Sequence, residues 1–122
     1  MDLLSDVILI AEPITQRVLE QVSQKRFGDM VKAVVDVEKG IMAIGGELHA
    51  DEEQFLLDLG SLQQNIWGIN IYHELPRGEW VEFDSMVNIR PSQKNRSRFV
   101  ENEETRKHII AIVDRLIIKN AV

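Results

Sequence analysis

Apolar runs separated by turn residues divide the chain into a series of short elements. Residues 7–10, VILI, are continuously apolar, which predicts a short strand buried on both faces. Pro13 suits the first turn of a helix, and apolar residues recur at helical spacing after it. This spacing predicts a first helix that ends near Phe27 and Gly28.

Two pairs of alternating segments predict two hairpins. Residues 31–37 place their valines on one face of a strand, and residues 40–46 supply a partner strand after a short turn. The second pair is formed by residues 65–73 and 80–90, which alternate apolar and polar side chains over most of their length. Each pair therefore predicts two antiparallel strands joined by a turn.

The loop at residues 76–78, Pro-Arg-Gly, predicts the register of the second hairpin. A three-residue loop with its glycine in the left-handed conformation pairs Ile71 with Phe83. The same loop pairs Asn70 with Asp84. A slip of one residue would place an apolar side chain opposite an acidic one, so the parity of the pattern supports this loop.

Two further helices are predicted from their ends. Asp51 and Gln54 have capping-box spacing, and Gly60 stands where a left-handed C-cap belongs, which predicts a helix of about two turns. Asn102 is a good N-cap for the last helix, which we expect to end near Lys119. The side chains of the shorter helix predicted to face the core are those of Phe55, Leu56 and Leu59.

The predicted order of elements is β-α-β-β-α-β-β-α. Hairpins require antiparallel pairing, and no repeat, linker or low-complexity tract divides residues 1–122. The sequence therefore predicts a single two-layer α+β domain. It consists of a five-stranded, mostly antiparallel sheet with three helices packed on one face.

A sheet covered on one face leaves a second face that is open. The polar side chains predicted on the open face are those of Asn70, Tyr72, Glu82, Asp84, Asn88 and Arg90. Trp80 falls on the same face, whereas Trp67 falls on the core side. Half-exposed antiparallel sheets are usually polar on the open side, so a solvated face accounts for the strand residues without a ligand.

The segment from residue 90 to residue 98, called the basic loop below, carries cations and no acid, although the chain has a net charge of −6. Guanidinium groups suit bidentate recognition of phosphate or carboxylate. We therefore predict a module that binds a phosphate-containing ligand or nucleotide. The predicted ligand-binding residues are Asn70, Asn88, Arg90, Lys94, Arg96 and Arg98.

Other interpretations of these residues stay open. Glu82 and Asp84 could hold the arginines in internal ion pairs, which would order the loop and leave no free anion site. Alternatively, the chain is a phosphoester hydrolase or nuclease in which His49, Asp84 or Glu82 moves protons. His49 and Asp51 also have H-x-D spacing, but three scattered histidines and no cysteine favour a hydrogen-bonded loop histidine, no metal and no cofactor.

Composition narrows the classes of partner and compartment. The chain has 20 acidic against 14 basic residues, which disfavours broad nonspecific nucleic-acid binding. No apolar run approaches the ~20 residues of a membrane helix, and the absence of cysteine suits a reducing cytoplasm. The partners that fit best are a phosphate-bearing small molecule or a second copy of the chain bound through edge strands.

Three segments carry a resemblance to a known family. They are VVDVEKGIMAIGGELHADEE at 34–53, WGINIY at 67–72 and WVEFDSMVNIRPSQKNRSR at 80–98. With them, nearly the whole chain resembles a family of small, uncharacterised microbial proteins that form a domain of unknown function. The resemblance implies a compact microbial cytosolic protein and no particular biochemical activity.

Overall fold

The chain folds into three α-helices and seven β-strands within the residues that the computed structural model describes, 6–120. The helices are α1 (Gln16–Gln24), α2 (His49–Asp58) and α3 (Glu103–Leu116). The strands are β1 (Ile8–Ile10), β2 (Ile14–Thr15), β3 (Val31–Asp36), β4 (Ile41–Ile44), β5 (Ile66–Ile71), β6 (Val81–Glu82) and β7 (Ile117–Ile118). No helix within 6–120 is long and apolar enough to cross a membrane.

Five strands form an antiparallel sheet in the order β1-β4-β3-β5-β6. The turn of the first hairpin is closed by Asp36, whose side chain accepts the N–H groups of Glu38 and Lys39 at 2.9 Å. Strands β2 and β7 form a separate parallel pair that joins the end of α3 to the start of α1. These findings confirm the predicted α+β class, the five-stranded antiparallel sheet and the three helices.

The helices lie on both faces of the sheet, which differs from the predicted two-layer arrangement. Helices α1 and α3 pack against the face that carries Val35, Met42 and Ile69. Helix α2 covers the opposite face, where its Leu56 packs with Val34. Strand β3 is apolar at consecutive positions, so burying either of its faces stabilises the folded chain.

Strand β1 lies at an edge of the sheet, so its predicted burial on both faces is wrong. Ile10 is buried in the core, but Ile8 and Leu9 keep 40% and 39% of their surface exposed. A short apolar run is compatible with a central or an edge strand. Its position in the sheet depends on partners that are distant in sequence.

The second hairpin does not have the predicted register. Asn70 pairs with Glu82 and Ile71 with Val81, two residues nearer the turn than predicted. The shift is even, so the side chains of these two pairs keep their predicted faces. After β6 the chain leaves the sheet, and most of the strand predicted over residues 80–90 is irregular.

The loop of this hairpin is built around Trp80, which is buried in the core and not on the polar face as predicted. The indole N–H donates to the carbonyl of Leu75 at 2.8 Å, and the Arg77 guanidinium lies 4.0 Å from the ring centre. A 3₁₀ turn at Arg77–Glu79 carries the chain past the ring. Gly78 therefore does not have the predicted left-handed conformation.

The capping box predicted for α2 is not formed. The helix begins at His49, and the Gln54 side chain donates to Asp58 at 2.8 Å instead of reaching back to the helix N-terminus. Leu59, predicted to face the core, falls beyond the last helical residue and is exposed. Gly60 ends the helix with φ of +100°, as predicted.

Helix α3 begins as predicted and ends earlier. Asn102 is its N-cap, and its side chain accepts the N–H of Thr105 at 2.9 Å. The helix ends at Leu116, and the next two residues form β7 instead of a last helical turn near Lys119. Ile117 and Ile118 pair with β2 through backbone hydrogen bonds, whereas in a longer helix their N–H and C=O groups would bond within α3.

Candidate functional site

The side chain of Asn88 takes the place of a backbone strand beside β5. Strand β6 reaches only Asn70 and Ile71, so within residues 6–120 no strand pairs with Gly68, the next residue of β5 whose backbone groups point to that edge. Its N–H donates to Asn88 Oδ1 at 2.8 Å, and Asn88 Nδ2 donates to the Gly68 carbonyl at 2.9 Å. Nδ2 also donates to the carbonyl of Arg98 at 3.0 Å. Asn88 is fully buried, so its amide is committed to the fold.

Arg90 continues the same edge two residues further along β5. Four of its five N–H donors are hydrogen-bonded within the chain. The acceptors are the carbonyls of Ile66, Gln63 and Val87 and the side-chain amide of Gln93. The guanidinium also stacks on Trp67, 4.2 Å from the ring centre. Arg90 is buried, and the structure uses it to close the sheet edge.

Two residues that were not among the predicted site residues hold the basic loop in shape. The buried amide of Asn95 accepts the N–H of Glu101 at 2.8 Å and donates to three carbonyls, those of Asn88, Ser97 and Phe99. Glu101 Oε2 in turn accepts the N–H groups of Arg96 and Ser97. Backbone and side-chain hydrogen bonds from Ser97 are the main reason that the pKa of Glu101 lies below its usual value. The only sequence signal was the enrichment of short polar residues, which is typical of turns.

The remaining cations of the basic loop have different environments. Arg98 Nε lies 2.5 Å from Asp84 Oδ1, and both side chains are about half exposed. The internal ion pair that the sequence left open is therefore present at Arg98. Within residues 6–120, the side chains of Lys94 and Arg96 form no salt bridge. Lys94 and Arg96 are the loop cations that remain available to an external anion.

A cleft of about 470 Å³ opens beside Lys94, between the basic loop and the start of α3. Lys94 has φ of 61°, and this left-handed conformation costs a non-glycine residue about 1 kcal/mol. The backbone on both sides is held by hydrogen bonds between Arg90 and Asn95 and from Lys94 N–H to Pro91. The side chains that line the cleft include those of Gln64, Trp67, Lys94, Glu101, Asn102 and Thr105.

The predicted polar sheet face forms an internal hydrogen-bond network. Asn70 Nδ2 donates to Glu82 Oε1 at 2.8 Å and to the carbonyl of Asp84 at 3.1 Å. The hydroxyl of Tyr72 donates to the same Glu82 oxygen at 3.3 Å. Desolvation, followed by the charge of Glu82, raises the pKa of Tyr72. Asn70 is buried, and its amide hydrogens bond within the chain, away from the basic-loop cleft.

His49 lies at the start of α2 and is largely buried. Its Nε2 donates to the carbonyl of Ile69 at 2.7 Å, and burial lowers its pKa to about 4. The ring therefore lies against β5, and the nearby charges of Lys32 and Arg98 lower its pKa while that of Asp84 raises it. At neutral pH the imidazole is uncharged, so it cannot act as a general acid from the imidazolium form.

Glu52 is buried one turn further along α2. Its Oε2 accepts the N–H of Gly46 at 3.0 Å, while Oε1 has no hydrogen-bond partner among residues 6–120. Burial raises the pKa of Glu52 well above its usual value, because the charged carboxylate is poorly solvated there. In the part of the chain that the structure describes, no group of three or more His, Cys, Asp or Glu side chains could hold a metal ion.

The comparison with known proteins supports one assignment, at the level of the family. No curated protein and no solved structure matches the chain. Residues 8–116 match the family described as "Protein of unknown function (DUF5674)". The matched segment contains the five-stranded sheet, all three helices and the basic loop. The resemblance to a family of unknown function is thereby confirmed, and the chain belongs to the DUF5674 family.

Proposed function

We propose that this protein is a binding module for a small phosphate-containing ligand, which it holds in the cleft beside the basic loop. The observation that carries the proposal is the environment of Lys94. Its ammonium group has no salt-bridge partner within residues 6–120, and its backbone is held in the left-handed conformation at the cleft. Glycine would adopt this conformation without the steric cost, so the presence of lysine points to a role for its charge.

Other groups of the cleft complement an anion that also carries a polar or ring-shaped part. The capping bond of Asn102 uses Oδ1, which leaves its Nδ2 as a donor toward a ligand. The side-chain amide of Gln64 lines the same cleft, and Trp67 contributes an apolar wall. The first turn of α3 begins here and adds the positive end of a helix dipole. A nucleotide or a sugar phosphate has this combination of groups.

Three carboxylates near the cleft oppose an anion and limit its affinity. Glu101 Oε2 accepts hydrogen bonds from Arg96 and Ser97, so part of its charge is compensated within the loop. Glu103 and Glu104 lie 3.8 and 3.7 Å from the ammonium group of Lys107. We therefore expect moderate affinity that weakens as salt screens the charge of Lys94.

The proposal includes the setting in which the module works. A chain without cysteine suits a reducing compartment, and a net charge of −6 disfavours a nucleic-acid backbone as the ligand. We place the protein in the cytoplasm of a microbe, with a phosphate-bearing small molecule as its partner.

A binding screen at low salt tests the proposal. Nucleotides, sugar phosphates and a short RNA are added to the purified chain, and the melting temperature is measured with each. Each ligand that raises the melting temperature is then titrated by calorimetry. We expect Lys94→Ala to abolish the response and Arg96→Ala to weaken it. Lys25→Ala, which removes an exposed lysine at the end of α1, is the matched control and leaves the response unchanged. A wild-type chain that responds to none of these ligands would contradict the proposal.

Replacing Lys94 by glycine separates the role of its charge from its role in the fold. Lys94→Gly removes the cation and relieves the left-handed strain, so we expect ligand binding to be lost while the free energy of unfolding rises by up to about 1 kcal/mol. Binding is measured by calorimetry and stability by urea denaturation. Unchanged ligand affinity in this variant would show that Lys94 does not contact the ligand.

A further inference from the structure

The exposed edge of the sheet at β1 is an interaction surface that the ligand cleft does not explain. β1 pairs with β4 on one side and is the last strand of its sheet within residues 6–120. Ile8 is exposed on the face that packs α1 and α3, and Leu9 on the face that packs α2. The strand therefore offers apolar side chains on both faces together with a backbone edge that no strand of the described residues pairs.

The register of the sheet shows which backbone groups form that edge. Gly68 directs its N–H and C=O away from β3, toward Asn88. Backbone groups alternate in direction along each strand. The two residues of a facing antiparallel pair either both point toward each other or both point away from each other. Gly68 and Val34 therefore point apart, Val34 and Ala43 point toward each other, and Ala43 and Leu9 point apart. The N–H and C=O of Leu9 thus face outward, while those of Ile8 and Ile10 face β4.

Within Ile8–Ile10, the edge carries none of the usual features that prevent edge strands from pairing with another chain. Proteins protect such edges with lysine, proline, a bulge or an inward-pointing charge. The three residues of β1 are all apolar and pair with β4 in continuous register. The nearest proline, Pro13, lies beyond the strand end.

We propose that β1 pairs antiparallel with β1 of a second copy of this chain, with the two-fold axis at Leu9. In this register each Leu9 faces the Leu9 of the other copy, and Ile8 of one copy faces Ile10 of the other. Every pair is apolar, and the outward backbone groups of Leu9 bond to each other across the axis. The two sheets then form one continuous sheet of ten strands.

The second copy fits this edge because the same residues complement themselves about the axis, as a two-fold interface requires. The register brings Asp6 near Glu12 of the other copy, and these like charges repel. Asp6 is already paired with Arg26, at 2.7 Å, which reduces the repulsion. The paired segment is short, so we expect a weak dimer with a dissociation constant of about micromolar or higher.

The mass of the full chain in solution tests the dimer directly. Sedimentation velocity over a concentration series, from low micromolar to near-millimolar protein, should show a monomer–dimer equilibrium for the wild type. Leu9→Lys should be monomeric throughout. Leu62→Lys makes the same chemical change at a leucine that is 59% exposed elsewhere, and it should still dimerise. A wild-type chain that stays monomeric over the whole series would overturn the proposal.

Disulfide formation provides a second test that does not depend on a charged substitution. The chain contains no cysteine, so Leu9→Cys introduces a single reporter thiol. Residues that exchange both backbone bonds have Cα atoms about 5.5 Å apart, which lies within the range that a disulfide spans. We expect Leu9→Cys to form a covalent dimer at least tenfold faster than Leu62→Cys under mild oxidation. Equal rates in the two variants would overturn the proposal.

The charge at position 12 tests the register. Glu12→Lys replaces the repulsion with Asp6 of the other copy by an attraction, so the dissociation constant measured by sedimentation should fall severalfold at low salt. An unchanged or weakened dimer would exclude pairing centred on Leu9.

Discussion

Strands β3 and β5 are flanked in two different ways. β4 pairs with β3 through a backbone ladder of four residue pairs. On its edge away from β3, β5 has a backbone partner, β6, for only two residues within 6–120. Beyond them, the side chains of Asn88 and Arg90 bond to the backbone of Gly68 and Ile66.

The difference concerns what each arrangement demands of the sequence. A backbone ladder forms with any side chains that suit the two faces of the sheet, since the bonding groups belong to the main chain. The outer edge of β5 instead depends on one amide and one guanidinium, each with specific geometry. Arg90 therefore contributes its charge to the basic loop because it completes the sheet edge. Lys94 and Arg96 are the cations of the loop that a ligand can reach.

The largest effect is expected from removing the amide that completes β5. Asn88→Ala leaves the buried N–H and C=O of Gly68 without partners, so the free energy of unfolding should fall by about 3 kcal/mol or more. Met42→Leu, a conservative change in the regular β3–β4 region, should cost less than about 1.5 kcal/mol. Urea denaturation of both variants measures the contrast, and equal losses would show that the side-chain edge is no more demanding than the backbone ladder.

A smaller loss is expected when the guanidinium is replaced by an ammonium group. Arg90→Lys keeps the charge but cannot reach the separated acceptors at Ile66, Gln63 and Val87, and we expect a loss of about 2 kcal/mol. Arg96→Lys is the control, since this exposed side chain forms no salt bridge within residues 6–120. Chemical denaturation should separate the two variants, and an Arg90→Lys chain as stable as wild type would mean that charge alone suffices at this edge.

The smallest effect concerns Glu52, a buried residue of helix α2, which covers the regular β3–β4 region. Burial raises its pKa in the folded chain, so above about pH 4.5 the unfolded chain binds fewer protons and wild-type stability falls as pH rises through the folded pKa. Glu52→Gln removes this titration while keeping an acceptor for the N–H of Gly46. The variant should gain stability relative to wild type as pH increases. Denaturation across a pH series measures the difference, and parallel pH profiles would contradict a raised pKa of Glu52 in the folded chain.

The predictable parts of the fold are those in which local pattern and backbone pairing agree. Alternation located β3, β4 and β5, and Asn102 located the start of α3, because strand faces and helix caps are set by neighbouring residues. Residues 80–90 alternate in the same way, but most of them leave the sheet. The pattern does not distinguish an asparagine that lies on a strand from one whose side chain bonds to a strand.

The sequence predicted which cations cluster in the basic loop, but not which of them bond within the chain and which border the cleft. The cluster of cations was visible without a structure, and one of them, Lys94, borders the cleft. The commitment of Arg90 depends on carbonyls 24 and 27 residues away, and that of Arg98 on Asp84, 14 residues away. Asn95 and Glu101 were missed for the same reason, since their partners converge only when the loop closes on itself.

By itself, the sequence determined the fold class, most of the element types and the accumulation of positive charge in one acid-free loop. These features follow from side-chain periodicity and composition, which act over a few residues. Only the tertiary structure decided that helices cover both faces of the sheet, that β1 is left at an exposed edge, and that Arg90 is buried while Lys94 forms no salt bridge within residues 6–120. Each of these outcomes depends on which distant segments compete for the same backbone groups and apolar surface, and local sequence patterns do not specify that competition.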